Sequence, residues 1–438
     1  MLHKKIILSF AILSAFSTQA QQTDSILNEK FSFHFQNTII TQYKPAFKAA
    51  YSGSNSLIPQ QETQTSITAT IFAGAKLWKG GSIFINPELA GGAALSEAFG
   101  AADATNGETF RVGNPAPTLF LARLFYRQLF SLDKIKTYQS ADENQLAGNV
   151  PSKYLALTIG KISIPDYFDD NIYSHDARTQ FMCWSLMDNG AWDYPANTRG
   201  YTPSIVLEYV TPKNEIRYVV SLEPLEANGS DMDWKINKAS AHSLEYTHRY
   251  FLEGKPGAIR FLGYFNTANM GNFNESIALN PTAPDIISTR KYGRTKYGFG
   301  INAEQRITKD AGIFFRAVWD DGNNETWTFT EIDRTVSVGI SSNGNKWNRP
   351  NDNVGLAYVI SGISAPHRNY LKHGGKGFQL GDGNLNYGLE QLTELYYSAA
   401  IKKNLLYLSG AYQFLINPGY NKSRGPVNIF SIRIHAAI

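Results

Sequence analysis

Glu215-Ile-Arg-Tyr-Val-Val-Ser-Leu-Glu223 alternates polar and apolar residues along most of its length. In an extended chain, successive side chains point to opposite faces. Ile216, Tyr218, Val220 and Leu222 therefore share one face, and Glu215, Arg217, Ser221 and Glu223 share the other. A dry core would reject the second set, because charges taken from water without partners cost several kcal/mol or more. The two sets fit a strand with lipid on one side and water on the other.

The same alternation recurs to both sides. Phe31, Phe33 and Phe35 oppose His34 and Gln36. Tyr297, Phe299 and Ile301 oppose Lys296, Asn302, Glu304 and Arg306, and Phe430, Ile432, Ile434 and Ile438 oppose Arg433 and His435. Read this way, the chain has strands at 31–43, 65–78, 82–90, 119–131, 153–163, 201–210, 215–223 and 240–251. Eight more follow at 257–269, 295–307, 311–321, 331–342, 353–364, 388–401, 404–414 and 427–438. About sixteen strands is an even number, as bacterial barrels use. The expected fold is all-β, a transmembrane antiparallel barrel with a charged and therefore wet lumen.

Connection lengths support that fold. Lys79-Gly-Gly81, Thr211-Pro-Lys-Asn214, Glu253-Gly-Lys-Pro256, Thr308-Lys-Asp310 and Lys402-Lys403 are short. Segments 44–64, 91–118, 164–200, 224–239, 270–294 and 365–387 are long. Short periplasmic turns alternating with long external loops are the rhythm of an outer-membrane barrel. Two segments break it: 132–152 is long where a short turn belongs, and 343–352 is intermediate.

The N-terminus sets the compartment. His3, Lys4 and Lys5 precede an apolar run, Ile6 to Phe16, that is too short to span a bilayer. Ser17-Thr-Gln-Ala20 offers a cleavage site, so residues 1–20 read as a signal peptide and 21–438 as the barrel. The single Cys183 rules out an intrachain disulfide. The 41 Lys and Arg nearly balance the 37 Asp and Glu without long runs of one sign, which argues against nucleic acid as a partner. With 24 Tyr, 26 Phe and 36 Gly, the composition favours strands and turns.

Charge is patterned most sharply on two neighbouring strands. Asn86 and Glu88 share one face of 82–90; Arg123 and Arg127 share one face of 119–131, with Phe120, Leu124 and Tyr126 on the other. Guanidinium groups donate paired hydrogen bonds to vicinal hydroxyls, and carboxylates accept them. The bland alternative is an ion-pair ladder in the wall.

Segment 164–200, the third long loop, carries Asp166, Asp169, Asp170, His175, Arg178, Trp184, Asp188 and Trp192. Loops this long are usually functional, and its aromatic density suggests that it folds toward the lumen. Asp166, Asp169 and Asp170 have the hard oxygens calcium prefers, but not at EF-hand spacing, and turn and cap roles are commoner for such residues. Enzyme signals are weak. There is no Gly-x-Ser-x-Gly elbow, and His175-Asp176 lacks a zinc-helix context. Gly374-Gly-Lys-Gly377 lacks phosphate-loop spacing. We therefore expect no enzyme, no cofactor and no resident metal.

Several blocks resemble the carbohydrate-selective porin family of the OprB type. They include Pro87-Glu-Leu-Ala-Gly-Gly92, Arg111-Val-Gly-Asn-Pro-Ala-Pro117 and Leu121-Ala-Arg-Leu-Phe-Tyr-Arg-Gln128. Asn144-Gln-Leu-Ala-Gly148, Tyr173-Ser-His-Asp-Ala-Arg-Thr-Gln-Phe-Met182 and Asp188-Asn-Gly-Ala-Trp-Asp-Tyr-Pro195 belong to the same set, as do Gly381-Asp-Gly-Asn-Leu-Asn-Tyr387 and Asn417-Pro-Gly-Tyr-Asn421. The resemblance is good over 84–226 and 380–438 and poor between about 265 and 380. It implies passive diffusion of monosaccharides such as glucose across the bacterial outer membrane, through an eyelet of arginine, acidic and aromatic side chains. On matching motifs the eyelet candidates are Glu88, Arg123 and Arg127, then Asp169, Arg178 and Trp192. The implied partners are small sugars, outer-membrane lipid and the barrel-insertion machinery, with a monomer and a homotrimer both open. The chain departs from the usual terminal aromatic residue, ending Ala436-Ala-Ile438. A porin for general small solutes or organic anions is the main alternative, since inward arginines suit anions too; a barrel-embedded hydrolase is a distant third.

Overall fold

The computed structural model describes residues 28–109 and 116–438. The signal-peptide reading of 1–20 and most of the block Arg111–Pro117 lie outside them.

Among the described residues eighteen strands form. They are β1 (Phe31–Lys44), β2 (Glu62–Trp78), β3 (Gly81–Gly92), β4 (Thr118–Ser131), β5 (Lys136–Gln139), β6 (Gly148–Pro151), β7 (Tyr154–Ile162), β8 (Thr202–Val210) and β9 (Asn214–Leu222). Then come β10 (Ser240–Leu252), β11 (Lys255–Ala268), β12 (Arg294–Arg306), β13 (Ala311–Asp320), β14 (Arg334–Gly344), β15 (Arg349–Gly362), β16 (Glu390–Lys402), β17 (Leu406–Ile416) and β18 (Val427–Ala437). All but β5 and β6 close into one antiparallel barrel, each strand beside its neighbour in sequence. β1 seals against β18, Gln36 opposite Ala437, and the last residue, Ile438, exchanges both backbone hydrogen bonds with Phe35. Closure leaves the barrel without an edge, so each of its sixteen strands satisfies its backbone groups without water.

The alternation sorts the faces as composition dictates. Ile216, Phe299, Ile432 and Ile434 are exposed on the outside, where lipid covers them. Lys296, Asn302, Arg433 and His435 are buried inside, beneath the loops. No helix among the described residues is long and apolar enough to cross a membrane.

Three segments differ from the sequence reading. The connection 343–352 is a tight turn: β14 and β15 run further than expected and are joined through Asn348, a left-handed residue with φ 61°. Residues 331–333 belong to the loop before β14, not to the strand.

The third difference is a bulge. Pro87 has no N–H to give to the ladder, and the β3–β4 register shifts between Asn86, opposite Arg123, and Pro87, opposite Leu121. Ala122 is left unpaired, so the face alternation of β4 reverses on either side of it. Phe120, placed on the apolar face by simple alternation, therefore lies opposite inward-facing Glu88 and points into the lumen.

Candidate functional site

The third external loop, residues 163–201, turns into the barrel and is held by inward side chains from around the wall. Arg316 of β13 is its main post. The guanidinium donates to the carbonyls of Ser174, Leu186, Met187 and Asp169 and pairs with the Asp169 carboxylate at 3.1 Å. Asp169 also accepts from the Asn189 backbone at 2.7 Å and from Asn302 of β12 at 2.6 Å, and its own N–H donates to Glu245 of β10. Glu394 of β16 accepts the N–H groups of Met182 and Cys183 at 2.7 and 2.9 Å. Arg433 of β18 donates to the carbonyls of Ala177 and Gln180. Irregular backbone at membrane depth must be satisfied by protein in this way.

Two wall glycines make room for the loop's rings. A Cβ on Gly312 would fall 1.9 Å from the Tyr173 ring, and one on Gly355 would fall 2.7 Å from Phe181. A side chain at Gly312 would collide with the loop's Tyr173 ring, and one at Gly355 would meet first the Tyr396 ring of β16 at 2.4 Å and then Phe181 of the loop.

The loop brings its polar groups against β3 and β4. Arg123 makes a bidentate pair with Asp166, both contacts 2.6 Å, and lies 5.1 Å from the centre of the Tyr201 ring. Arg178 reaches Glu108 of the second external loop at 2.9 Å and Glu88 at 3.4 Å. Glu88 also accepts from Thr70 at 2.6 Å and from the Tyr201 hydroxyl at 3.0 Å. Phe120, turned inward by the bulge, packs under the Arg199 guanidinium at 4.2 Å.

A second charged string climbs the wall from β4 to β10. Arg127 pairs with Glu208; Arg217 bridges Glu208 at 3.3 Å and Glu215 at 2.7 Å; Arg249 pairs with Glu215 at 2.5 Å. Arg260 of β11 closes the arc on Glu304 at 3.4 Å and Asp170 at 3.7 Å. The side chains of Asp170, Arg249 and Asp166 are 50%, 40% and 30% exposed, so these are the groups lumen water touches most.

The residues nominated from sequence thus divide. Glu88, Arg123, Arg127 and Arg178 are brought to one side of the lumen. Glu88, 2% exposed, is covered by Thr70, Tyr201 and Arg178, and Asp169 and Trp192 are not at the lumen surface either. Asp169 is fully buried with its oxygens consumed by Arg316, Asn302 and Asn189. Trp192, 3% exposed, packs between Phe168 and Tyr194. Both shape the loop rather than line the path. The three candidate calcium ligands diverge: Asp166 turns to Arg123, Asp169 to Arg316 and Asp170 to Arg260. Among the described residues no group of three His, Cys, Asp or Glu could hold a metal.

Inside the loop, Asp188 is fully buried with neither carboxylate oxygen hydrogen-bonded. Burial pushes its pKa up to about 7, against the pull of His175. His175 itself is raised: burial opposes its charge, but Asp170 and Asp188 outweigh burial.

Sequence reasoning passed over Glu108, Tyr201, Glu208 and Arg260. Alternation alone places Glu208 and Arg260 inside, so a strand-by-strand list of inward charges would have found them. Glu108 sits in a loop, where no period operates, and Tyr201, read as the first residue of the strand 201–210, lies instead in the loop before β8.

Clusters of paired guanidinium and carboxylate groups thus line one side of the lumen, beside an inward loop within a sixteen-stranded wall. A family model of the carbohydrate-selective porins, OprB family, matches residues 54–437. The chain belongs to the OprB family of carbohydrate-selective porins. It is a passive outer-membrane channel for carbohydrates, and its family and fold are those of channels rather than enzymes. The fold is shared with the high-pH structure of OprB from Pseudomonas putida: TM-score 0.71 at 14% identity, over 93% of this chain and 94% of that one. The low-pH structure of the same protein aligns with TM-score 0.51 at 11% identity over 93% of each chain. DcaP, an outer-membrane channel of Acinetobacter baumannii, gives 0.51 at 9% identity over 93% of this chain and 97% of that one. A search of curated proteins by sequence returns no match.

Proposed function

We propose that this OprB-family porin passes neutral monosaccharides such as glucose through a constriction built from Glu88, Arg123, Arg127 and Arg178, with Asp166, Glu108 and Glu208 as their partners. The observation that carries this reading is charge matching. Arg123, Arg127 and Arg178 each stand beside a carboxylate at hydrogen-bonding distance. Matched pairs present many donors and acceptors with little net field, which suits a polyol better than an ion. Tyr201 and Phe120 add ring faces beside the pairs. Weak contacts at several sites lower the barrier without trapping the solute.

Liposome swelling tests this. Glucose should enter faster than a carboxylate of similar size, and Arg123→Ala with Arg178→Ala, which leaves Asp166, Glu88 and Glu108 without their cations, should slow glucose and slow the carboxylate further. Faster swelling with the carboxylate would instead favour an organic-anion porin.

A further inference from the structure

The 132–153 connection, too long for a periplasmic turn, is a hairpin of β5 and β6 paired only with each other. It leaves the barrel where Ser131 faces Tyr154 at the short-turn end. It does not stay there. At its tip the Asn144 side-chain oxygen Oδ1 accepts from the Asn86 side-chain amide at 2.8 Å. Asn86 is fully buried, faces inward, and lies five residues up β3 from the turn. At about 3.3 Å per residue along a strand tilted about 40°, the tip is roughly 12 Å inside the barrel. Asn86 pairs across the ladder with Arg123, so the tip meets the constriction from below. Behind the tip, Leu146 packs against the inward cluster of Phe84 and Phe125.

Asp142 and Glu143 are the exposed positions of this tip. The charges around Glu143 are Arg178 and Asp176 of the third external loop, Arg123 of β4 and Asp142 of the hairpin itself. We propose that the hairpin tip forms the periplasmic half of the constriction and that Glu143 is its selectivity-determining residue, an acid set against Arg123 and Arg178 on the solute's way out. The proposal rests on the porin reading above. Enclosure pushes the Glu143 pKa up to about 7, with Asp176 adding to the rise and Arg178 opposing it. Its charge is therefore largely present at pH 8 and absent at pH 5.

The test is ion selectivity and sugar block in planar bilayers with purified full-length protein. Glu143→Gln should lower the cation-to-anion permeability ratio about sevenfold at pH 8, because the charge favours the cation and disfavours the anion by about 2.7-fold each. That is the effect of one charge about 7 Å from an ion's path even at the dielectric of water. At pH 5 the two proteins should coincide, and Glu143→Lys should shift the ratio further at both pH values. Unchanged ratios for both variants at pH 8, with glucose still permeant, would overturn the proposal and leave the sugar reading standing. Shifted ratios in a channel that excludes glucose would do the opposite.

Discussion

The third external loop enters the lumen on buried charge, whereas the periplasmic hairpin enters it on a few amide hydrogen bonds. Arg316, Glu394, Arg433 and Asp169 fix the loop from β13, β16, β18 and within. The hairpin is steadied by Asn86 at its tip and by the segment before β1. There Glu29 accepts from the Ala147 N–H at 2.8 Å and donates its own N–H back at 2.9 Å, and Asn28 accepts from Asn149. Removing one partner of a buried ion pair costs about 3–5 kcal/mol, while a neutral hydrogen bond contributes about 0.5–1.5. One wall of the constriction is thus rigid and the other lightly held. A pore can keep a fixed set of binding groups and still let its floor yield to a solute.

The hardest blow to this contrast is Arg316→Leu. It strands Asp169 without its cation and leaves four loop carbonyls short of a donor. We expect a loss of about 3–5 kcal/mol in the loop's attachment, read as a larger and noisier single-channel conductance and a lower heat-modification temperature. Wild-type conductance in this variant would mean the loop stands without its post.

Asp188→Asn sharpens the contrast from the other side, because it removes a stress in the rigid element. The folded pKa of Asp188 is raised to about 7, above its unfolded value of about 4. The native state therefore binds the extra proton, and stability falls as pH climbs from about 4 to 7. His175, also raised, adds a fall in the same direction as its charge is lost. The Asn variant should melt several degrees higher than wild type at pH 8 and no higher at pH 5, with a shallower but nonzero slope between. Equal melting at pH 8 would show that the carboxylate finds water.

Glu29→Ala gives the smallest effect. Loss of this carboxylate acceptor should weaken the hairpin by about 1.5–3 kcal/mol. Brief conductance fluctuations should become more frequent while the melting temperature stays within error. A drop in melting temperature like that of Arg316→Leu would erase the distinction between the two elements.

The sixteen barrel strands were legible in the sequence to within about four residues at each end, while β5 and β6 were not. Alternation is local, and lipid on one side with water on the other enforces it at every step. Phe120 was misplaced because one unpaired residue, Ala122, inverts the count, and its cause, Pro87, lies on the neighbouring strand. Trp192 and Asp169 were nominated for belonging to a dense functional segment. Whether a loop residue faces solute or its own core depends on contacts far away in sequence, such as Arg316 to Asp169.

By itself, then, the sequence determined the barrel, its sixteen-strand count, its inward charges and its family, because each rests on local period or local motif. Only the tertiary structure decided which charges meet. It joined Arg178 to Glu88 and Glu108, bent the third loop onto β13, and sent the hairpin tip up to Asn86. The excess length of 132–152 announced that something unusual happens below the barrel. Its destination was not legible, because a polar hairpin is equally well solvated in the periplasm, and only its fit against Asn86, Phe84 and Phe125 draws it inside.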